Sequence, residues 1–133
     1  MTLSKDIADF HEKFQLPQPQ RPSLLTPEMA AFRIKFMQEE LDEFILAHRQ
    51  GNLAECLDAL VDIVYVAIGT AWLMNLPFDR AWSAVHGANM QKIRAERPTD
   101  SKRGTSFDVI KPPGWKHPNI EEVIDQYQME LPL

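Results

Sequence analysis

"LDALVDIVYVAIGTAWL", residues 57–73, has apolar side chains at nearly every position around a predicted helix. The pattern lacks the strict alternation of a half-buried strand, and no strand-like alternation of any length occurs elsewhere in the chain. A helix that is apolar all round needs more than one neighbour to cover it. The chain is therefore predicted to be all-α, with this helix either central or at a subunit interface.

Signals at the start of this helix predict how it joins its neighbour. Asn52 and Glu55 resemble a capping box that opens the helix, which is predicted over about 53–75. Gly51 suits the residue just past the preceding helix, because glycine readily adopts the left-handed conformation found there. The short turn makes the two helices antiparallel neighbours.

The preceding helix has its own start signal in "TPEM", where Thr26 can cap and Pro27 fits the first helical position. It is predicted to run to about Gln50. The other helical patterns are shorter, and they cover 4–15, about 79–97 and about 119–129. Together these elements predict an antiparallel bundle of about four to five helices in a single domain over 1–133, with a basic loop at about 98–118.

Composition argues against several classes of function. The net charge of −5 disfavours general nucleic-acid binding, since affinity for a duplex comes largely from neutralising phosphates. The longest nearly uncharged apolar run, Ile63 to Met74, is shorter than a membrane span, and the N-terminus lacks the apolar region of a signal peptide. The single cysteine, Cys56, lies in an apolar helical pattern and is interpreted as core packing. A cytoplasmic protein that binds neither membranes nor nucleic acids is expected.

Acidic side chains cluster on the two central helices. In "MQEELDEF", Glu40 and Glu43 are three residues apart and share a helix face. The next helix adds Asp58 and Asp62, four residues apart among aliphatic neighbours. A solvated helix face would explain the first pair by itself. The second pair is harder to explain in that way, because burying unpaired carboxylates carries a large desolvation cost.

Divalent metal ions would offset both the desolvation and the mutual repulsion of these carboxylates. The predicted ligands are Glu40, Glu43, Asp58 and Asp62, with Glu55 as a weaker candidate because helix capping gives it a structural alternative. All-oxygen sites of this kind suit Mg²⁺, which keeps positions for water and substrate phosphates, and Mn²⁺ is expected to substitute for it. The pattern thus indicates phosphate-ester or phosphoanhydride chemistry.

Basic residues follow in the C-terminal half of the chain. Asn89 and Lys92 are three residues apart and share a face of the predicted fourth helix. The loop that follows adds Lys102, Arg103, Lys111 and Lys116. These residues could clamp a polyphosphate. Taken singly, however, Lys102, Arg103 and Lys116 are explained more simply by surface solubility.

These motifs resemble those of the MazG-like, all-α nucleoside triphosphate pyrophosphohydrolases, particularly their compact dUTPase-like and phage-type members. The Glu-Glu-x-x-Glu motif of that family matches Glu39, Glu40 and Glu43, and "DALVDIVYVAIGTA" resembles its second acidic helix. "VHGANMQKI" and "VIKPPGWKHP" resemble its Asn-x-x-Lys segment and its substrate-closing loop. The resemblance covers most of the chain.

One position departs from the family pattern. The usual second motif is Glu-x-x-Asp, and if Asp62 is its aspartate, Ala59 stands where the glutamate should be. Asp58, or the Glu55 and Asp58 pair, must then supply the missing ligand.

The resemblance implies hydrolysis between the α and β phosphates of a nucleoside triphosphate, releasing the monophosphate and pyrophosphate with two or three Mg²⁺ ions per site. It implies that Glu39 or Glu40 orients the attacking water. The implied substrate-binding residues are Asn89, Lys92, Lys111, Trp115 and His86, with Trp115 closing over the nucleotide. It also implies a homodimer or a dimer of dimers. Base choice does not follow from a linear motif, and deoxyuridine, deoxycytidine and guanine nucleotides are all compatible.

Two alternatives to this function are left open by the sequence. Hydrolysis of phosphoribosyl-ATP is the nearest enzymatic alternative. A non-catalytic helical oligomerisation module is the alternative from a different class, with the acids on a solvent face and the basic loop contacting a partner. That module would bind no Mg²⁺.

Overall fold

The computed structural model of the protein describes residues 2–133 and is built mainly from α-helices. The helices are α1 (Leu3–Lys13), α2 (Pro27–Arg49), α3 (Leu53–Leu73), α4 (Phe78–Asn89) and α5 (Ile120–Glu130). Two short strands, β1 (Ile93–Arg94) and β2 (Val109–Ile110), pair antiparallel, and one turn of 3-10 helix covers Pro98–Asp100. The prediction of an all-α protein with four to five helices is confirmed for the described residues, and the strand pair is an addition to it.

The chain forms two compact units. The first comprises the residues up to Phe78 together with Tyr127–Leu133, and the second comprises Asp79–Gln126. In the first unit, the Arg21 guanidinium donates a hydrogen bond to the carbonyl of Gln128 at 3.2 Å, which ties the C-terminal segment to the linker before α2. The assignment of a single domain over the whole chain stays a prediction.

The ends of α2 and α3 follow from local capping. The Thr26 hydroxyl accepts a hydrogen bond from the Met29 amide at 3.2 Å, and the Asn52 side-chain oxygen accepts one from the Glu55 amide at 3.1 Å. Gly51 lies between the two helices with φ +65°, a conformation that glycine adopts without steric cost. The predicted starts of both helices and the glycine turn between them are confirmed.

Helices α1 and α2 pack against the C-terminal half of α3. From α2, the buried Arg33 donates to the Thr70 hydroxyl at 3.0 Å and to the Val66 carbonyl at 2.9 Å. From α1, the buried His11 ring lies with its centroid 4.5 Å from that of Trp72. One face of α3 is therefore covered by two helices within the first unit.

Gly69 marks the closest approach of these three helices. A Cβ atom at this position would lie 2.9 Å from Nη2 of Arg33 and 3.0 Å from Cε1 of His11. Real Cβ atoms essentially never approach other atoms so closely. Glycine thus avoids a close contact with these two side chains, and its role here is packing rather than an unusual backbone conformation.

The fourth helix is shorter than its predicted span of about 79–97, and that part of the prediction is wrong. α4 ends at Asn89, and the chain then turns into β1, which pairs with β2. Isoleucine and valine favour strands when a partner strand is present, but a local helical pattern cannot reveal a partner that lies far along the chain. Lys92 therefore leaves the helix and does not share a helical face with Asn89.

A second face of α3 carries apolar side chains that remain exposed. Leu53 is 85% and Leu57 is 64% exposed. Together with Leu60, Val61 and Val64, which are also exposed, they form what is called here the α3 stripe. By length and composition alone α3 is also able to cross a membrane, a test that the core helix of a soluble protein passes as well. The stripe is the surface that an interface would need to cover.

Candidate metal centre and substrate-binding residues

Three carboxylates from α2 and α3 converge in the first unit. Glu40 and Glu43 project from one side of α2 because they are three residues apart, and Asp62 faces them from α3. One carboxylate oxygen from each lies within 4.8 Å of the other two. These three residues are called here the carboxylate cluster.

Glu40 is the buried member of the cluster. It is 9% exposed, and its Oε2 atom has no hydrogen-bond partner among the described residues. Burial is the main cause that raises the pKa of the Glu40 carboxyl to about 7, and the nearby carboxylates of Glu43 and then Asp62 raise it further. Near neutral pH the protonated and ionised forms of this carboxyl therefore coexist.

The cluster has the chemistry of a site for a hard divalent cation. Its donors are all carboxylate oxygens, which suit Mg²⁺ and Mn²⁺. A cation among them would supply the partner that the Glu40 Oε2 atom lacks and would compensate the repulsion that raises the pKa of that carboxyl. The residues present thus fit a metal ion.

The other predicted acidic residues lie outside this cluster in the part of the chain that the structure describes. Glu39 is exposed on α2 beside Glu40, and Asp58 is exposed on α3 one turn before Asp62. Glu55 is exposed in the first turn of α3, where its amide donates to the Asn52 cap. Their roles as ligand or water-orienting group stay predictions.

Ala59 occupies the position where the family pattern has a glutamate that this chain lacks. It is 2% exposed and packs in the interior of the first unit, one turn before Asp62. A methyl group at this point leaves the cluster with the three carboxylates of Glu40, Glu43 and Asp62. Glu55 and Asp58 lie outside this cluster of three, and their replacement of the missing ligand stays a prediction.

The predicted substrate-binding residues of α4 lie in the second unit. His86 is exposed on the last turns of α4, and Asn89 ends the helix. Lys92 follows in a turn, where its amide donates to the Asn89 carbonyl at 3.1 Å. The sequence spacing thus keeps Asn89 and Lys92 close through a turn, although the predicted helical face is wrong.

Trp115 organises the remaining predicted residues of the second unit. Its indole N–H donates to the Ala88 carbonyl at 2.7 Å, which fixes the ring against the end of α4. The ammonium groups of Lys92 and Lys111 lie 5.2 Å and 5.1 Å from the ring centroid, at cation–π distance. Trp115, Lys92 and Lys111 therefore form one local arrangement, and closure of the ring over a nucleotide stays a prediction.

Arg33 is a buried residue of α2 that lies outside every motif recognised in the sequence. Arg33, Glu40 and Ala47 recur every seven residues, and all three are buried on the side of α2 that meets α3. The seven-residue spacing places these three positions on the same side of the helix. The Arg33 guanidinium donates its hydrogen bonds to Thr70 and Val66 of α3. These bonds fix α2 against α3 two helical turns before Glu40.

The fold and the carboxylate cluster define an all-α protein with a candidate divalent-metal centre. Comparison with known families is more specific, because the phosphoribosyl-ATP pyrophosphohydrolase family matches residues 7–89, more than half of the chain. The chain belongs to this family. The resemblance to the wider superfamily of MazG-like and phosphoribosyl-ATP pyrophosphohydrolase-like proteins is confirmed at that level.

One curated relative comes from a giant virus. The chain is 29% identical over 85 residues to "Uncharacterized protein L479" of Acanthamoeba polyphaga mimivirus. The match covers 64% of this chain and 31% of the viral protein. The matched segment therefore spans about a third of the length of that relative.

Proposed function

We propose that the protein is a divalent-metal-dependent pyrophosphohydrolase that converts a nucleoside triphosphate to the monophosphate and pyrophosphate. The convergence of Glu40, Glu43 and Asp62 in a chain of this family is the observation that carries the proposal. A helical interaction module would have no need of three carboxylates brought together around a buried, partnerless oxygen.

The carboxylate cluster would hold Mg²⁺, with Mn²⁺ as a substitute. The chemistry that the ion supplies when bound is stabilisation of charge on the phosphate oxygens during cleavage of the phosphoanhydride. Glu39, exposed next to the cluster, is the candidate for orienting the attacking water. Asn89, Lys92 and Lys111 are the candidates for contacts with the substrate.

Phosphoribosyl-ATP is the second candidate substrate. It is favoured by the family match, because the matched family is described as phosphoribosyl-ATP pyrophosphohydrolase. Both substrates are cleaved between the α and β phosphates, so the proposed roles of the carboxylates apply to either. The choice between them depends on the group attached to the triphosphate.

We also propose that the protein works as a homodimer or homotetramer. The α3 stripe exposes apolar side chains continuously over several turns of one helix. A continuous apolar surface of this kind is typical of an interaction site, whereas single exposed apolar residues are common on any protein. A second copy of the same chain is the partner that the family resemblance implies.

The test incubates purified protein and Mg²⁺ with ribo- and deoxynucleoside triphosphates and with phosphoribosyl-ATP, each in a separate reaction. Anion-exchange chromatography separates monophosphate, diphosphate, phosphate and pyrophosphate. Equimolar monophosphate and pyrophosphate are expected from one or a few substrates. Formation of diphosphate and phosphate, or no turnover of any substrate, would contradict the proposal.

Variants connect this activity to the carboxylate cluster. Glu43→Gln and Asp62→Asn are each expected to lower kcat by about a hundredfold or more, because each removes a charged ligand from the site. Asp42→Asn is the matched control, since Asp42 is an exposed neighbour of Glu43 outside the cluster. Equal losses in all three variants would show that the cluster has no special role.

A further inference from the structure

Helix α1 is held in the first unit by few buried side chains. Its buried residues are Ile7 and His11, each 2% exposed, and they lie one turn apart on the same face. An apolar groove of about 320 Å³ remains between α1 and α3, with Leu3 and Ile7 on one side and Leu60 and Val64 on the other. A helix with so little buried contact can open locally while the rest of the fold persists.

The His11 ring is held in one tautomer. Its Nδ1 atom lies 2.8 Å from the Ile7 carbonyl oxygen. Because a carbonyl oxygen can only accept, Nδ1 carries the hydrogen and donates. Nε2 is then the unprotonated nitrogen of the neutral ring, and it is buried without a hydrogen-bond partner among the described residues. The one basic atom of this side chain is thus kept away from water.

Each helix that packs against the ring suits its neutral form. From α3 come Trp72, whose ring centroid lies 4.5 Å away, and Gly69, and neither residue titrates. On α1 itself the ring meets the edge of Phe10, with centroids 5.5 Å apart. From α2 comes the Arg33 guanidinium, which is the charged group beside the ring. A positive ring would therefore find aromatic surface and another cation here.

Arg33 and His11 approach the same point on α3. A Cβ atom on Gly69 would lie 2.9 Å from Nη2 of Arg33 and 3.4 Å from Nε2 of His11. Arg33 donates to the neutral oxygens of Thr70 and Val66, and such bonds do not cancel its positive charge. Protonated Nε2 would thus be a buried donor without an acceptor, next to a like charge.

We propose that protonation of His11 releases α1 from α2 and α3, so that docking of this helix depends on pH. In the released helix the imidazolium is hydrated, which satisfies its new N–H group and separates it from Arg33. Release also withdraws Ile7 from the groove, whose α3 side includes Leu60, Val61 and Val64 of the α3 stripe. The exposed apolar surface of α3 would therefore grow in acid.

The pH range of this change follows from the docked and released forms of His11. Burial lowers the pKa of the docked imidazole below its ordinary value of 6.5, the Ile7 hydrogen bond opposes this shift, and the charge of Arg33 adds to it. The released imidazole has the ordinary pKa. Docking is therefore fully stable above pH 6.5 and weakens as pH falls from there toward the docked pKa.

The carboxylate cluster cannot produce the same effect. The pKa of Glu40 is raised in the folded protein, so its protonation stabilises the fold as pH falls below about 7. Opening of α1 in acid has the opposite sign. Loss of protection in α1, with protection kept in α2, is thus specific to the release proposed here.

The first measurement is an NMR titration of the histidines in the unmodified protein, in EDTA. His48, His86 and His117 are exposed and serve as internal references. The His11 ring should titrate at lower pH than all three, and its nitrogen shifts should show the tautomer protonated at Nδ1. Titration of His11 together with the exposed histidines would overturn the proposal.

The second measurement is amide hydrogen exchange at pH 7 and pH 5, corrected for the intrinsic exchange rate. Protection of 3–13 should fall about three- to tenfold between these values, while that of α2 does not fall. His11→Gln cannot titrate and should lose this dependence. His48→Gln is the matched control and should keep it, since His48 is exposed at the end of α2.

Three results would contradict the release of α1. They are protection of α1 that is equal at both pH values, an equal fall in α2, and an unchanged pH dependence in His11→Gln. If His11→Gln leaves α1 open at every pH, the unmodified protein decides, because its loss of α1 protection must coincide with the titration of His11. Neither measurement involves turnover, so the outcome is independent of the proposed enzymatic function.

Discussion

A single buried carboxyl dominates the electrostatics of the candidate metal centre. Glu40 lies in the interior with one oxygen that lacks a hydrogen-bond partner in the described chain, next to two further carboxylates. Removal from water and repulsion both favour its protonated form. The cluster is therefore electrostatically unfavourable by itself, and a cation among its carboxylates would relieve this repulsion.

The pKa of Glu40 predicts how the stability of the metal-free protein changes with pH. The folded carboxyl ionises near pH 7 instead of at its ordinary value of 4.5, so between these values the folded state keeps a proton that the unfolded state has released. The free energy of unfolding should therefore fall as pH rises through this interval. Glu40→Gln removes this dependence and should become progressively more stable than the unmodified protein.

Urea unfolding in EDTA at pH 5, 6, 7 and 8 measures this difference. Glu39→Gln is the control, because Glu39 is the exposed neighbour of Glu40 and its substitution should give a difference that is flat with pH. Parallel stability curves for Glu40→Gln and the unmodified protein would contradict the raised pKa.

Gly69 provides the second prediction at the scale of one residue. Gly69→Ala would place a methyl group against the Arg33 guanidinium and the His11 ring, so at least one of these side chains must move from its packed position. We expect the free energy of unfolding to fall by about 1–3 kcal/mol, as for other overpacked interiors. Urea unfolding measures it.

Gly87→Ala is the matched control for this prediction. A Cβ atom at Gly87 would meet nothing within 4 Å, and the residue lies inside α4. Alanine should therefore stabilise the protein by about 0.5–1 kcal/mol relative to glycine in a helix. Similar destabilisation by both substitutions would argue against the close approach at Gly69.

At the scale of an element, the pair of β1 and β2 depends on side chains of the loop that joins them. Asp108 accepts from the Ser101 hydroxyl and the Arg103 guanidinium, and its carboxylate also accepts from the Val109 amide at 2.9 Å. Two-residue strands have too few ladder hydrogen bonds to be stable alone. The loop network therefore helps to maintain the strand pair.

Asp108→Ala tests this dependence. Loss of the carboxylate removes the contacts with Ser101 and Arg103, so local opening of the strands costs less free energy. Amide hydrogen exchange in peptides covering 93–110 should therefore increase severalfold. Hydrogen-exchange mass spectrometry measures it, with Asp125→Ala on the exposed side of α5 as the control. Unchanged exchange in the strands would show that they are held by other contacts.

At the scale of the whole molecule, the main feature that packing within a single chain does not explain is the exposed α3 stripe. Its five apolar residues stay between 45% and 85% exposed, although the same helix contributes Asp62 to the carboxylate cluster. Association through the stripe would bury apolar area, the main favourable contribution to most stable interfaces. It would also place a subunit boundary on the same helix as a metal ligand.

Leu57→Asp is expected to break this association. Burying a carboxylate at an apolar interface costs more than the roughly 1.4 kcal/mol that corresponds to tenfold in affinity, so the dimer Kd should rise by about tenfold or more. Sedimentation equilibrium measures it. Leu24→Asp is the control, since Leu24 is 87% exposed in the linker before α2 and lies off the stripe. A monomeric unmodified protein would contradict the proposed dimer.

Local chemistry made much of this fold predictable from sequence. Thr26, Asn52 and Gly51 act within three or four residues of their own positions, and the bounds of α2 and α3 follow from them. The shared face of Glu40 and Glu43 likewise needs only the helical repeat. These features could be predicted because every atom they depend on is near in sequence.

Contacts between distant segments determined the rest. The register of α3 against α2 brings Asp62 to Glu40 and Glu43 and leaves Asp58 exposed, although sequence spacing treats the two aspartates alike. Pairing of β1 with β2 ends α4 at Asn89, and Lys92 and Lys111 lie beside Trp115. Helical periodicity describes which side of an element a residue occupies, but only tertiary packing decides what faces that side, because the partner is far away in the chain.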